Sequence, residues 1–230
     1  MSKMLSTAVL AATFALAATP AAAATTLTFS NACGGLCADG DNISQSYGDI
    51  AGLLNLSYRS VASNGSTTSV GTVRSWTTGY GDLTDVIWGA EGGTLEIAFS
   101  LLAPNKLITL NSVNYAAWGG DAVQTQLALY SFGNVGGFYL PLMPSGSLTA
   151  PGEGHATWAP NFSSASGFIL HFGPDGYFGG IDNLTFTISD INVAGDVPEP
   201  TTWLSMILGF GLIGSAARRR AGRRSVAALI

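Results

Sequence analysis

Asp39-Gly40-Asp41-Asn42 places several side-chain oxygens within four residues, a donor set of the kind hard cations such as calcium take. The spacing is not that of an EF-hand loop, because the later ligands are missing. The same polar run also suits Asx turns, in which the side chain bonds its own backbone. A second candidate is Trp118-Gly119-Gly120-Asp121. An aromatic ring beside two glycines and a carboxylate can stack on a flat ligand and hydrogen-bond its edge. Trp76, Trp88 and Trp158 complete the set of tryptophans in the central part of the chain. Gathered on one surface they would suit a sugar ligand, whereas buried they are ordinary core residues. Cys33 and Cys37 are the only cysteines.

Signatures of hydrolysis are absent. The sequence has no G-x-S-x-G elbow and no H-E-x-x-H pair. His155 falls in a turn, GEGHATW. His171 is expected to face outward from a strand whose Phe168, Leu170 and Phe172 face inward. Glu91, Glu96 and Glu153 stand in no context that pairs carboxylates for glycoside cleavage. The chain therefore reads as non-catalytic.

The elements that must hold these residues alternate with a period of two. In GTLEIAFS the apolar positions are Leu95, Ile97 and Phe99, and in IDNLTFTISD they are Leu184, Phe186 and Ile188. TTLTFS, GLLNLSY, DVIWG, KLITLNSVNY, QTQLALYSF, GGFYLPL and SGFILHFG read the same way, about nine or ten strands separated by Gly-, Asn- and Pro-rich turns. An all-β fold is expected over residues 25–190, an antiparallel β-sandwich. A jelly roll is the first choice, because the first and last segments both read as strands and can pair, and an immunoglobulin-like sandwich is the alternative. In such a sandwich the loop after the first strand comes near the start of the last. Asp39, Asp41 and Asp182 would then share a structural calcium, which would relieve the repulsion of clustered carboxylates. Tyr47-Gly48-Asp49 and Tyr80-Gly81-Asp82 repeat one tripeptide, either as related ligand loops or as two independent turns.

Both ends of the chain carry targeting features. MSKMLSTAVLAATFALAATPAAAATT has a lysine, an apolar run and a small-residue site, the plan of a signal peptide over residues 1–24. An exported chain meets an oxidising compartment, so Cys33 and Cys37 are expected to be joined. The loop they close is very small, worth about 2 kcal/mol. At the other end an uncharged apolar run over residues 201–217 precedes Arg218, Arg219 and Arg220. This suits a short transmembrane helix followed by a basic cytoplasmic tail at 218–230, with residues 191–200 as a linker. Between residues 25 and 197 the only basic side chains are Arg59, Arg74 and Lys106, against thirteen acidic ones. Such a surface repels nucleic acid.

Pro198-Glu199-Pro200, then Trp203, then Gly209-Phe210-Gly211 and arginines, resembles a PEP-CTERM sorting signal. The resemblance covers about 25 residues. It implies an exosortase as partner beside the export machinery, with Pro198, Glu199 and Pro200 as the recognition triplet. It also implies an inner-membrane-anchored precursor that ends at the cell surface or outside, in bacteria that make extracellular polysaccharide. Polysaccharide is thus the candidate ligand for Trp118 and Asp121. GGIDNLTFTI resembles the closing strand of jelly-roll, galactose-binding-like modules, and this too implies a calcium role for Asp182.

Overall fold

The computed structural model describes residues 23–62, 65–143, 146–191, 205–213, 215 and 218. The chain divides into two compact units, Met1–Ile191 and Asn192–Ile230. The signal segment up to residue 22, the PEP triplet and most of the tail lie outside the described residues.

In the first unit two antiparallel sheets share one core. The first sheet is centred on β7 (Lys106–Ala117) and β14 (Gly179–Asp190). β14 is flanked by β1 (Ala24–Leu27) and β5 (Val86–Trp88), and β5 by β4 (Arg74–Trp76). The far side of β7 carries β11 (Ala156–Trp158) and β12 (Phe162–Ser164). The second sheet runs β10 (Leu148–Ala150), β8 (Val123–Val135), β13 (Gly167–Gly173), β6 (Thr94–Leu101), β2 (Leu54–Val61) and β3 (Ser69–Gly71). A further strand, β9 (Phe138–Met143), pairs with β8.

The period-two pattern explains the packing. Leu95, Ile97 and Phe99 of β6 and Phe168, Leu170 and Phe172 of β13 point into the same core as Ile108, Leu110, Leu184 and Phe186 of the facing sheet. Phe99 meets Phe186 edge-on at 5.9 Å, and Phe172 lies 6.1 Å from Tyr115. These contacts join the two layers. The expected pairing of first and last strands is present, with Ala24 to Leu27 opposite Thr187 to Leu184. The short strands β3, β4, β10, β11 and β12 are edge pieces of three residues each, too short for a period to show in sequence.

The Cys33–Cys37 disulfide is formed, with Cα atoms 5.3 Å apart, and both side chains pack against the main core. In the second unit a helix covers 205–213. Among the described residues no helix is long and apolar enough to cross a membrane, so the span expected over 201–217 is not shown.

His171 does not face solvent as expected: it is fully buried. It does lie on the sheet face opposite the core, but the β8–β9 hairpin folds over that face. Its ring stacks at 4.7 Å from Tyr130 and 5.8 Å from Tyr139. The Gly65 N–H donates to His171 Nδ1 at 3.1 Å, and Nε2 lies 2.9 Å from Glu96 Oε2. Because Nδ1 is the acceptor, the proton sits on Nε2 and is donated to the carboxylate. Glu96 also accepts from Arg59 through Nε and Nη2, and Arg59 Nη2 bonds the Tyr139 hydroxyl. Burial opposes ionisation of Glu96, but the bonds from His171 and Arg59 outweigh it and hold the carboxyl below its ordinary range.

Candidate functional site

The outer face of the β4–β5 corner carries a groove built by strand register. Arg74 stands opposite Trp88 and Trp76 opposite Val86. Ser75 and Ile87 point the other way, and Ile87 enters the main core. Arg74, Trp76, Val86 and Trp88 therefore share one surface. Tyr80, Leu83, Val86, Trp88 and Ala116 form a second, smaller apolar cluster there, with Trp76 and Tyr177 packed against it.

Ring geometry fixes the walls. Trp76 meets Trp88 at 6.4 Å and Tyr177 meets Trp88 at 5.1 Å, both edge-on. The Arg74 guanidinium lies 5.9 Å from the Trp88 ring centre, within cation–π range. Tyr80 donates its hydroxyl to the Tyr177 carbonyl at 2.8 Å, and burial raises its pKa. Trp118 closes the rim: its backbone N–H donates to the Phe178 carbonyl at 2.9 Å, and its backbone forms a β-bridge with Tyr80. The result is a hollow of about 200 Å³ lined by Gly40, Arg74, Trp76, Tyr80, Trp88, Trp118 and Tyr177. A neighbouring hollow of about 420 Å³ shares Arg74, Trp88 and Tyr177 and continues to Val70 and Glu91. Two hollows with three side chains in common make an elongated groove.

Three glycine-rich turns pack beside this groove. A Cβ on Gly81 would lie 1.8 Å from the Gly154 carbonyl oxygen, and one on Gly152 2.0 Å from that of Gly120. Trp118 is thus held on a turn that only glycine neighbours permit.

The sequence candidates divide. Trp118 lines the groove, half-exposed at 39%. Asp121, on the same turn, is exposed and lines neither hollow. Trp76 and Trp88 join the groove, while Trp158 packs on the main core. Tyr177 and Arg74 were not singled out from sequence. Their signal is weak, since Tyr177 sits in a turn and Arg74 in a three-residue strand.

The calcium set does not assemble. Among the described residues no group of three or more His, Cys, Asp or Glu side chains is placed to hold a metal ion. Asp39 Oδ1 accepts from the Thr77 amide and hydroxyl at 2.7 and 2.8 Å. Asp41 Oδ2 accepts from the Ala38 amide at 2.8 Å, closing the loop on itself three residues back. This loop instead seals the open edge of β4. Gly40 donates to Ser75, Ser75 to Asp41, and Ile43 to Val73, all backbone to backbone. The repeated Tyr-Gly-Asp units also do different work. Asp49 accepts from the Leu56 amide at 2.7 Å, and Asp82 bonds His155 Nδ1 at 2.8 Å.

Asp182 lies on β14, only 4% exposed, and its Oδ1 has no partner among the described residues. Burial pushes its pKa up to about 7, the Asn183 amide pulls it back, Asp85 raises it further and His155 lowers it. A folded pKa above the unfolded one means stability that is complete below about pH 4 and lost as pH rises through about 7. The difference converts to a ceiling of about 4 kcal/mol, and water entry on ionisation reduces the expected loss to about 2 kcal/mol. Urea unfolding across this window should show that decline in the native protein and its loss in Asp182→Asn. An equal slope in both would refute it.

The second unit has a different character. Its helix exposes Met206, Ile207, Leu208, Phe210, Leu212 and Ile213. Residues 196–221 match the PEP-CTERM protein-sorting motif. The chain carries this sorting signal. Such a motif indicates an exported protein sorted through an exosortase. The PEP-CTERM match leaves the sandwich uncovered, and no curated protein sequence matches the chain.

Solved structures give distant likenesses to the sandwich. The Podospora anserina GH26-CBM35 β-(1,4)-mannanase is 16% identical at TM-score 0.30, over 60% of this chain. The chain spans only 28% of that enzyme's length. The family 29 carbohydrate-binding module CBM29_1 from Piromyces equi is 12% identical at TM-score 0.27, covering 58% of this chain and 90% of the module. A family 11 carbohydrate-binding module from Clostridium thermocellum, in complex with a β-1,3-1,4-mixed-linked tetrasaccharide, is 14% identical at TM-score 0.24. It covers 64% of this chain and 94% of that module.

Proposed function

We propose that this is a non-catalytic surface or matrix protein whose sandwich binds extracellular polysaccharide in the aromatic groove. The observation that carries the reading is the gathering of Trp76, Trp88, Trp118 and Tyr177 around one hollow with Arg74. Concave sites with many aromatic walls and a few polar groups are the usual form of small-ligand pockets. Aromatic faces suit the C–H faces of sugar rings, and a guanidinium donates to their oxygens. A groove open along its length suits the interior of a glycan chain. The jelly-roll description fits the paired terminal strands. The sorting signal supports anchoring in the inner membrane and processing near Pro198-Glu199-Pro200 as part of this reading.

One observation favours a second reading, a structural matrix protein without a ligand. Trp88 is only 7% exposed, so the cluster also serves as a small core of its own.

The test is a glycan array and affinity electrophoresis on residues 25–191, including the producer's own polysaccharide. Trp118→Ala and Trp76→Ala should each weaken binding about ten- to thirtyfold, the size of a loss at an anchoring aromatic. Trp158→Ala should leave affinity unchanged. No binding to any glycan would move the assignment to the structural reading.

A further inference from the structure

Arg74 is a cation without a carboxylate. Between residues 25 and 197 the chain has three basic side chains against thirteen acidic ones. Arg59 pairs with Glu96, and Lys106 with Asp190 at 2.7 Å. Among the described residues the Arg74 guanidinium has no carboxylate within ion-pair distance and donates no hydrogen bond. The loop bonded to the edge of β4 carries Asp39 and Asp41, but both are held elsewhere. Asp39 accepts from Thr77, and Asp41 from the Ala38 amide.

The side chain is nevertheless positioned. Arg74 is bridged by Asn42 on one side and paired with Trp88 on the other, so its backbone is held from both edges. Its guanidinium lies over the Trp88 ring. Stacking on a ring face leaves the N–H groups at the guanidinium edge free for an acceptor in its plane. Arg74 lines both hollows and so stands where they meet. Glu91 is exposed and lines only the second hollow. Charge therefore changes sign along the groove, positive at the junction and negative in the second hollow.

A neutral glycan offers this guanidinium only hydroxyl oxygens. The paired oxygens of a carboxylate or sulfate match its fork and form charge-assisted bonds, the stronger kind. The acidic groups elsewhere on the domain act weakly against such a ligand, because physiological salt screens charges beyond about 8 Å. Glu91 acts at close range and disfavours a second anion in its own hollow. Given the glycan reading of the groove, we propose that it selects acidic polysaccharide of spaced charge. An anionic sugar, bearing a carboxylate or a sulfate, sits on Arg74, and an uncharged sugar lies toward Glu91.

Titration calorimetry on residues 25–191, which hold the whole core, tests this at about 0.15 M salt. Two charged probes are used: gellan oligosaccharides, whose glucuronate is spaced by neutral sugars, and κ-carrageenan oligosaccharides, whose sulfate is spaced likewise. Each is compared with its carboxyl-reduced or desulfated counterpart. At least one charged probe should bind about fivefold tighter than its counterpart, the yield of one well-aligned exposed ion pair. Which probe does so identifies the anion. Arg74→Gln should bring that ratio to about one, and Arg74→Lys, a point charge without the fork, should keep only part of it. Oligogalacturonate, charged on every ring, should bind more weakly than the spaced probe, and Glu91→Gln should narrow the gap. The proposal is overturned by a ratio near one in the native protein, by a ratio that survives Arg74→Gln, by tightest binding of oligogalacturonate, or by a gap that Glu91→Gln leaves unmoved. In each of these cases the groove still binds glycan and the broader reading stands. Failure of every probe to bind overturns the proposal too, and the glycan array then decides separately whether the groove reading survives.

Discussion

Glu96→Ala should lower the stability of the sandwich by about 3 to 4 kcal/mol at pH 7. Glu96 is 3% exposed and is the shared acceptor for Arg59 Nε, Arg59 Nη2 and His171 Nε2. Without it, a buried imidazole N–H has no partner and a guanidinium loses its counter-charge. Arg59 is about one-third exposed, so water recovers part of its solvation and keeps the loss at the lower end for a buried pair. Glu96→Gln retains an acceptor and should cost about half as much. Urea unfolding reads both values. A loss under about 1 kcal/mol for the alanine variant would mean that the network carries no such burden. The two buried carboxyls also oppose each other in pH. Glu96, with its pKa lowered, contributes stability above its unfolded value that disappears as acid protonates it. Asp182 contributes below its unfolded value and is lost toward neutrality. The domain should accordingly be most stable in mildly acidic solution.

Gly81→Ala should cost about 3 to 4 kcal/mol, against about 1 kcal/mol for Gly92→Ala. Both glycines have left-handed backbone, at φ 54° and 67°. They differ in surroundings. A methyl on Gly81 meets the Gly154 carbonyl oxygen at 1.8 Å, and one on Gly92 meets nothing within 4 Å. The difference between the variants isolates the close approach from the backbone strain. Because Gly81 adjoins Tyr80 and its turn abuts the one that carries Gly154, the substitution should also weaken glycan binding, whereas Gly92→Ala should not. Equal stability losses in the two variants would refute the packing of these turns.

Much of the sandwich was legible because long strands with one buried face alternate cleanly, as in Leu95-Ile97-Phe99 and Leu184-Phe186. The disulfide followed from the presence of only two cysteines and from export. His171 was misread for a physical reason. Alternation tells which face of a sheet a residue takes, and it cannot tell that a distant hairpin will cover that face. The Asp39–Asn42 loop was only half legible because short carboxylates serve metals and turns equally well, and its bonds to Thr77, Ala38 and the edge of β4 had no sequence signal. The groove was half legible. The tryptophans were visible, but their gathering depends on the pairing of Arg74 with Trp88, which three-residue strands do not announce.

The union of the first and last strands also has a consequence in time. Thr26 and Thr185, bonded side chain to side chain, are 159 positions apart. A polypeptide threaded outward from its beginning cannot seat β1 until nearly the whole ectodomain has emerged. Such distant pairing folds slowly. Until then β1, already outside, offers its own unpaired backbone to any neighbouring chain. A trimming enzyme that cut three residues beyond the expected signal segment, Thr25 to Leu27, would leave the β14 edge at Leu184 to Phe186 open permanently, with the damage appearing at the other end of the sequence.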